Sequence, residues 1–497
     1  MPRSPKVAII GAGFGGLALA HALEQRGLRD YVLFEKGPHV GGVWRDNSYP
    51  GAACDVPSHL YSLSFEPKLD WSRKYAPQAE ILGYLQHVAD KYGLTPRVRL
   101  NSEVVSARFD GRRTRWTLTT RDGAQHEADI LVTAVGQLSQ PLVPDLPGLD
   151  TFTGRAFHSA RWDHELDLRN RRVAVIGTGA SAIQIVPALQ PTVAKLTLFQ
   201  RSAAYVVPRG DRAYSATELA LLSRFPRLHS LSRGLIYGLL ELRMLAFLYP
   251  ETLLPAVKKQ FDQFLAEHVQ DPELRAKLTP DYPPGCKRVL LSDDYLSALA
   301  KPNAEVVTSP ISHVDGDALV TGDGVRHSVD AIVFGTGFRA TEFLAPIEIT
   351  GRDGLSLRNA WKQGAEAYLG LTVSGFPNMF MLYGPNTNLG HSSIVYMIET
   401  QVRYVMQALT AMERNDVESV EVRSDVQGSF NQALQARLSK MVWSGDCTNW
   451  YKTEAGKNTN NWPGYTFAYR AATREFRRHD YVMTKHAPER ELEVCRA

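Results

Sequence analysis

Cysteine is scarce in this chain of 497 residues. The four cysteines, Cys54, Cys286, Cys447 and Cys495, are widely separated, and no two of them are spaced as Cys-x-x-Cys. A dithiol–disulfide oxidoreductase relies on such a closely spaced pair, so the spacing argues against this class of redox enzyme. We therefore expect the thiols to be reduced.

The sequence also lacks a long run of charge of one sign. Lysine and arginine number 56, against 52 aspartate and glutamate residues, which leaves a net charge of +4 over the whole chain. Nucleic acid is therefore not an expected partner. A slightly basic surface does suit an anionic, phosphate-bearing cofactor.

Long hydrophobic runs are missing as well. The longest apolar region, from Leu235 to Tyr249, is interrupted by Glu241 and Arg243, and a spanning helix needs about 20 mostly apolar residues. We expect a helix packed against the protein here, and a membrane-surface or substrate-entry role is the alternative. The first residues lead into an apolar strand without the features of a secretory signal, which predicts a cytoplasmic location.

Glycine, in contrast, is concentrated where it carries information. The apolar run Val7–Ile10 leads directly into Gly11-Ala-Gly13-Phe-Gly-Gly16, and a helical composition follows. A strand, a glycine turn and a helix in this order place a helix N-terminus against a pyrophosphate. Gly11 permits the tight turn, Gly13 lets the backbone approach the phosphates, and Gly16 allows close packing of helix and strand.

A second unit repeats this design, with Gly177-Thr-Gly179-Ala-Ser181-Ala182 after another apolar strand. Glu35 follows the first loop by the same number of positions as Arg201 follows the second. A carboxylate in this position accepts hydrogen bonds from ribose hydroxyls, whereas an arginine pairs with a 2′-phosphate. The first unit is therefore predicted to bind FAD and the second to bind NADPH in preference to NADH, and a surface ion pair is the alternative for Arg201.

The predicted fold class is α/β, with two Rossmann-like dinucleotide-binding domains and a helical insert in the NADPH domain. We assign residues 1–145 to the first part of the FAD domain and 146–329 to the NADPH domain, with the insert at about 209–275. Residues 330–497 are expected to complete the FAD domain and to form a C-terminal segment. Two dinucleotide sites allow hydride transfer from NADPH to flavin.

The segment between the two loops resembles a known fingerprint. It reads Phe152-x-Gly154-x-x-x-His158-x-x-x-Trp162-Asp163, which at every specified position is similar to the fingerprint of type I Baeyer–Villiger monooxygenases. These flavoproteins insert oxygen beside a carbonyl. The resemblance implies an NADPH- and O2-dependent enzyme that converts ketones to esters or lactones through a C4a-peroxyflavin.

A second stretch, Gly41-Gly42-Val-Trp44 through Tyr49-Pro-Gly51 to Asp55, resembles another motif of the same family. There the resemblance implies a position for Asp55 near the flavin ring, although the residues alone favour a turn or cap. It also implies that Lys287 reaches the 2′-phosphate and that Arg288 is catalytic, whereas the residues alone favour solvated surface charge. A guanidinium suits a site that stabilises an anionic oxygen adduct, and Asp55 would orient it by ion pairing.

The resemblance also implies roles for Trp450 and His158. Trp450 resembles a family position beside the nicotinamide ribose, and core packing is the alternative. His158 is implied to couple domain movement to the catalytic cycle, with direct proton transfer as the alternative. The remaining predicted cofactor-binding residues are Phe14, Gly42, Trp44, Tyr61, Val104, Ser181, Ser202 and Asn388.

Two other functions share these features. A flavin monooxygenase that oxidises nitrogen or sulfur has both glycine loops, but its fingerprint typically lacks the ending found here at Trp162-Asp163. A redox-sensing protein that binds FAD and NADPH without catalysis is the alternative of another class. The identity of the ketone is not specified by the sequence, and both a monomer and a dimer stay open.

Overall fold

The computed structural model describes residues 5–445 and 447–485. The strands, in chain order, are β1 (Val7–Ile10), β2 (Tyr31–Phe34), β3 (Val98–Arg99), β4 (Val104–Asp110), β5 (Arg115–Thr120), β6 (Gln125–Ala128), β7 (Ile130–Thr133), β8 (Arg155–His158), β9 (Arg172–Ile176), β10 (Lys195–Phe199), β11 (Val206–Val207), β12 (Leu290–Leu291), β13 (Ala304–Val307), β14 (Ile311–Asp315), β15 (Ala318–Thr321), β16 (Arg326–Ser328), β17 (Ala331–Phe334), β18 (Glu348–Thr350), β19 (Met379–Met381), β20 (Val417–Val422) and β21 (Tyr481–Lys485). The α-helices are α1 (Phe14–Gln25), α2 (Val43–Asp46), α3 (Gln78–Lys91), α4 (Ala182–Leu189), α5 (Ala216–Arg224), α6 (Pro226–Leu242), α7 (Met244–Leu248), α8 (Pro250–His268), α9 (Pro272–Lys277), α10 (Tyr295–Leu299), α11 (Leu357–Ala360), α12 (Ile394–Arg414), α13 (Ser424–Leu438) and α14 (Thr466–Ala472).

Two five-stranded parallel sheets form the centre of the fold. The first has the order β19-β7-β1-β2-β3, and its middle strand β1 pairs in parallel with β2 and β7. All four residues of β1 are buried, as the continuous apolar run predicts for a strand covered on both faces. Helices α1, α3 and α12 contribute Leu17, Ile81 and Val405 to the core beside this sheet.

The second sheet has the order β13-β10-β9-β17-β8 and is also parallel throughout. Its edge strand, β8, contains the fingerprint residue His158. The segment between the two glycine loops is thus not only a connection, because part of the fingerprint is a sheet strand paired with β17. The sequence does not reveal this because the four residues of β8, Arg-Ala-Phe-His, show neither strict alternation nor a continuous apolar run.

Strand β17 differs from the predicted domain boundary. Residues from 330 onward were assigned to the first unit, whereas β17 lies between β9 and β8 in the second sheet. Strands β7 and β17 are both apolar runs followed by glycine, so the sequence pattern does not predict which sheet each strand joins. The chain returns to the first sheet only at β19, which pairs with β7.

The helical insert begins after one strand of the second unit and ends before the strand that pairs with it. Strands β11 and β12 pair in parallel, with Val206 opposite Leu290, and α5 to α9 lie between them in the sequence. The apolar region from Leu235 to Tyr249 forms the end of α6 and α7, and α6 extends back to Pro226. Within residues 5–445 and 447–485, no helix combines the length with the apolar content that a bilayer span requires.

Candidate active site

The first glycine loop has the geometry that a pyrophosphate site needs. Gly11 has a φ of +105°, and a Cβ on it would lie 2.5 Å from the carbonyl oxygen of Ala134. A Cβ on Gly16 would lie 1.9 Å from the carbonyl oxygen of Gly11, so the helix and strand approach too closely for a side chain. Helix α1 begins at Phe14 with no side-chain cap and no acidic residue in its first turn, which leaves its first N–H groups available to an anion.

Glu35 lies at the carboxyl end of β2 and is buried. Its carboxylate accepts hydrogen bonds from the backbone N–H groups of Ala12 (3.0 Å) and Gly37 (2.9 Å). It also forms an ion pair of 2.6 Å with Arg45, which the sequence did not predict. Two backbone donors and a guanidinium hold this carboxylate in a fixed position beside the glycine loop.

A cavity runs from Glu35 past the glycine loop to residues of the C-terminal part of the chain. Its lining includes the glycine loop, the segment from Ala134 to Gln140, and Tyr383, Ile394 and Ile398. Most of the exposed lining is apolar, and Glu35 is among its few charged residues. This arrangement fits a dinucleotide with a planar ring system, because such sites combine apolar walls with a few polar groups that fix orientation. Seven predicted cofactor-binding residues line it: Gly11, Gly13, Phe14, Glu35, Gly42, Tyr61 and Val104.

Three other predicted residues lie near this cavity without lining it. Gly16 lies in α1 where this helix packs closely against the glycine loop. The indole N–H of Trp44 donates to the hydroxyl of Tyr61 over 3.1 Å, so Trp44 holds a lining residue. Asn388 is buried and accepts a hydrogen bond of 2.7 Å from the hydroxyl of Tyr383, another lining residue.

The second glycine loop repeats the first in detail. Gly177 has a φ of +113°, and a Cβ on it would lie 2.5 Å from the carbonyl oxygen of Gly335. A Cβ on Gly179 would meet nothing closer than 4.0 Å, which leaves room for a ligand. Ser181 precedes α4 without capping it, and Ala182 is the buried first residue of that helix.

Three predicted cofactor-binding residues, two of them predicted to bind the 2′-phosphate, meet beside this loop. The ammonium group of Lys287 donates to the hydroxyl of Ser202 over 2.8 Å. Burial lowers the pKa of Lys287, and the positive charge of Arg201 lowers it further. In the described part of the chain, no carboxylate lies within ion-pair distance of Arg201, so the surface ion pair weighed as its alternative is absent there. Two cations without a paired acid form a site suited to a phosphate.

Arg288, the next residue, points to the other unit. Its Nη2 and Nε atoms both donate to one carboxylate oxygen of Asp55, at 2.6 Å and 3.2 Å. Its Nη1 donates to the carbonyl oxygen of Leu389 over 3.4 Å. The charge of Asp55 raises the pKa of the Arg288 guanidinium, outweighing the opposing effect of burial. Adjacent residues of one chain segment thus contact the two nucleotide units separately.

Two tyrosines near Arg288 were not predicted from the sequence. Burial raises the pKa of Tyr451 to about 12, and Arg288 opposes that rise. Burial likewise raises the pKa of Tyr383, again against the effect of Arg288. Both phenols therefore stay neutral near pH 7 and present hydroxyl groups close to a fixed cation. The one sequence signal for Tyr451 is its position next to Trp450, whose ring lies 4.6 Å from it at a tilt.

The cysteine prediction is wrong for one pair. Cys286 and Cys447 form a disulfide across 161 residues of sequence, immediately before Lys287. Sequence spacing does not reveal such a pair, because the fold brings together two distant loops. Asn449 ties the same loops together by donating to the carbonyl oxygen of Cys286 over 3.1 Å. Cys54 is a free, buried thiol.

The fingerprint residues bond largely to one another and to the second sheet. The Nδ1 atom of His158 accepts from the backbone N–H of Ala160 at 3.1 Å, so its Nε2 donates to the carbonyl oxygen of Gly337 at 2.9 Å. Asp163 forms a 2.8 Å ion pair with Arg155 of β8. Burial lowers the pKa of His158, and with both ring nitrogens engaged the imidazole is a structural link, not a free base.

Close packing accounts for the other members of the fingerprint. A Cβ on Gly154 would lie 2.3 Å from the carbonyl oxygen of Asp330 and 2.7 Å from the ring of Phe152. The ring of Trp162 packs edge-on against Phe157, with ring centres 5.1 Å apart. These contacts hold the fingerprint segment, which lies between the two glycine loops, against the edge of the second sheet.

Comparison with known proteins agrees with this geometry. Residues 4–346 match the family described as FMO-like, flavin-binding monooxygenase-like. A protein of Streptomyces coelicolor named Baeyer-Villiger monooxygenase is 48% identical over 97% of this chain and 93% of its own length. A protein of the same name from Pseudomonas aeruginosa is 47% identical over 97% of this chain and 92% of its own length.

Solved structures give the same result. The structure of oxidized steroid monooxygenase bound to NADP is 32% identical, with a TM-score of 0.87 over 97% of this chain and 100% of that one. Cyclohexanone monooxygenase from Rhodococcus sp. Phi1, bound to NADP+, is 30% identical, with a TM-score of 0.87 over 98% of this chain and 100% of that one. The chain therefore belongs to the flavin-binding monooxygenase-like family and, within it, to the Baeyer–Villiger monooxygenases. The predicted family, enzyme class and two-nucleotide α/β fold are confirmed.

Proposed function

We propose that the chain converts a ketone to an ester or lactone with NADPH and dioxygen, and that Arg288 is its catalytic cation. FAD would bind in the cavity beside the first glycine loop, and NADPH would bind at the second. The observation that carries the proposal is the split between two adjacent residues. Lys287 contacts Ser202 in the second unit, whereas Arg288 contacts Asp55 in the first. One short segment thus reaches both nucleotide sites.

When bound and reduced, FAD supplies the activated oxygen for this chemistry. The protein must stabilise the negative charge that develops when oxygen adds to the substrate carbonyl. The Arg288 guanidinium suits this task because it keeps its proton near pH 7 and carries several N–H groups in a rigid plane. Asp55 occupies two of its N–H groups and fixes its orientation.

Specificity for the phosphorylated nucleotide would come from Arg201, Lys287 and Ser202. The hydrogen bond between Lys287 and Ser202 fixes the ammonium group beside Arg201, where a 2′-phosphate would compensate both charges. Tyr282 supports this position, because the ammonium group lies 4.3 Å from the centre of its ring. Trp450 would border the nicotinamide end of the same nucleotide.

His158 would act as a positioning residue. It connects β8 to Gly337, directly after β17, through the hydrogen bond of its Nε2. A change at the nucleotide could therefore be transmitted through the second sheet. Apart from the boundary at β17, the domain division stays a prediction, as do the cytoplasmic location and the ketone and dioxygen as partners.

The test is product formation with the purified FAD-loaded protein. A panel of cyclic, aryl and linear ketones is incubated with NADPH in air, and esters or lactones are identified by mass spectrometry. We expect NADPH consumption to match ester formation for at least one ketone. A thioether tested in parallel distinguishes the alternative enzyme: if sulfoxide forms and no ketone yields an ester, the carbonyl chemistry is refuted. Flavin reduction by NADPH with no oxygenated product at all would favour the redox-sensing function.

A further inference from the structure

Helix α6 carries a stripe of leucines that faces outward. These side chains recur at spacings of three and four residues, so they share one face of the helix. Four of the five are more than half exposed, and the stripe consists of Leu228 (43%), Leu231 (70%), Leu235 (64%), Leu239 (55%) and Leu242 (59%). An amphipathic helix of a globular protein normally turns such a face toward the core.

Exposed apolar residues continue on both sides of this stripe. More than half of the large, exposed apolar side chains in the described part of the chain lie between residues 221 and 253. Those outside the stripe are Leu221, Phe225, Leu248, Tyr249 and Leu253. We call this whole set the leucine face. Contiguous apolar patches of this kind mark sites of interaction with proteins or membranes.

Along the leucine stripe itself, between positions 219 and 250, the exposed charges have one sign, and the exposed Glu251 lies just beyond them beside Leu253. Arg227 and Arg243 are exposed and, at 3.6 residues per turn, fall on opposite sides of the leucine stripe. Arg224 adds a third exposed cation at the end of α5. The one acidic residue between positions 219 and 250 is Glu241, which is buried and accepts hydrogen bonds from Thr466.

The inner side of the same helices forms part of the wall near Arg288. Met244, the first residue of α7, is fully buried. The ring of Phe247 lies 4.8 Å from that of Trp443, and both rings approach Gly390. Leu389, the residue before it, provides the carbonyl oxygen that Arg288 contacts. One pair of helices thus connects the exposed leucine face with the surroundings of the catalytic cation.

We propose that the leucine face docks on an anionic phospholipid surface, and that the enzyme takes apolar ketones that partition into the bilayer. A helix with an exposed apolar stripe between arginines matches the pattern of helices that lie in the membrane interface, and anionic lipids attract the arginines. A second copy of the chain fits less well, because a two-fold contact through this face would bring like charges together. The substrate class rests on the proposed function, whereas the docking itself does not.

Vesicle co-sedimentation of the FAD-loaded full chain tests the docking. We expect it to bind vesicles of equal parts phosphatidylcholine and phosphatidylglycerol, and to bind pure phosphatidylcholine more weakly. The double variant Leu231→Ser/Leu235→Ser should reduce the partition coefficient on anionic vesicles by about tenfold or more, because two inserting side chains are lost. The matched control Val325→Ser/Val482→Ser removes apolar side chains that are exposed elsewhere (49% and 52%) and should bind like wild type.

A second pair of variants tests the role of charge. Arg227→Gln/Arg243→Gln should weaken binding to the anionic vesicles and reduce its dependence on salt. Arg112→Gln/Arg358→Gln removes the same net charge from exposed positions outside the leucine face and should leave binding unchanged. Equal loss in both variants would mean that net charge alone drives binding, which overturns the proposal.

Two further outcomes also overturn it. If the wild-type chain stays in the supernatant with anionic vesicles, there is no docking. If it is a dimer in sedimentation equilibrium that Leu231→Ser/Leu235→Ser converts to a monomer, the leucine face is an interface between two copies. Ester formation from a water-soluble ketone, measured without vesicles, is the independent check. If no ester forms, the proposed function is refuted and the docking is not. If the wild-type chain forms ester normally but does not bind anionic vesicles, only the docking is refuted.

Discussion

The ion pair between Arg288 and Asp55 allows a quantitative prediction. Arg288→Ala removes the cation that we place beside the reacting oxygen. Removing one preorganised donor of this kind costs about 3–4 kcal/mol at the transition state, or about 100- to 1,000-fold in rate. Because the two side chains are 28% and 35% exposed, solvent screens the charge in part. We therefore expect a loss at the lower end of this range, about 100-fold in kcat for ester formation.

Two measurements on the same variant separate chemistry from binding. Anaerobic stopped-flow absorbance follows the reduction of bound FAD by NADPH, and product analysis in air follows ester formation. We expect the first to change much less than the second. Arg169→Ala, which breaks a surface pair with Asp167 that is mostly exposed on both sides, is the control and should cost little in either assay. Full ester formation by Arg288→Ala, with FAD still reduced by NADPH, would refute the assignment.

Three further predictions concern the nucleotide sites and pH. Arg201→Gln and Lys287→Gln should each raise the KM for NADPH at least about tenfold and leave the KM for NADH nearly unchanged, since only NADPH carries the 2′-phosphate. Equal effects on the two KM values would contradict this. Gly16→Ala should lower the FAD content of the purified protein, because its Cβ would lie 1.9 Å from a backbone oxygen, whereas Gly83→Ala adds a Cβ in open space and should retain FAD. Burial lowers the pKa of His229 from 6.5 to about 4. Between these pH values the unfolded chain binds one more proton than the folded chain. The free energy of unfolding should therefore fall, by up to about 3 kcal/mol, as the pH is lowered through this window. Urea titrations should show less of this loss in His229→Gln, and the same slope in both proteins would refute it.

The sequence was most informative where a local pattern carries the structure. Apolar runs followed by glycine turns predicted β1 and β9 with their loops, because the strand and the tight turn are both encoded within about ten residues. The comparison of Glu35 with Arg201 is less exact. Ile10 pairs with Phe34, directly before Glu35, whereas Ile176 pairs with Phe199, so Gln200 and not Arg201 follows in the equivalent position.

Prediction failed where distant segments converge. Tyr383 and Tyr451 lie near Arg288 because loops separated by more than 60 residues meet there, and no periodic pattern records such a meeting. The disulfide between Cys286 and Cys447 has the same cause. Arg45, the partner of Glu35, lies only ten residues away, but its direction depends on the fold of the loop after β2.

The late position of β19 has a consequence for how the chain is made. The first sheet begins with β1 at residue 7, yet its edge strand β19 emerges only at residues 379–381. During synthesis, the whole second unit and the helical insert leave the ribosome while the amino-terminal sheet still has β7 exposed at its edge. Open strand edges of this kind favour aggregation. A nascent chain halted before residue 379 is thus expected to need chaperone protection, even though it already contains both glycine loops.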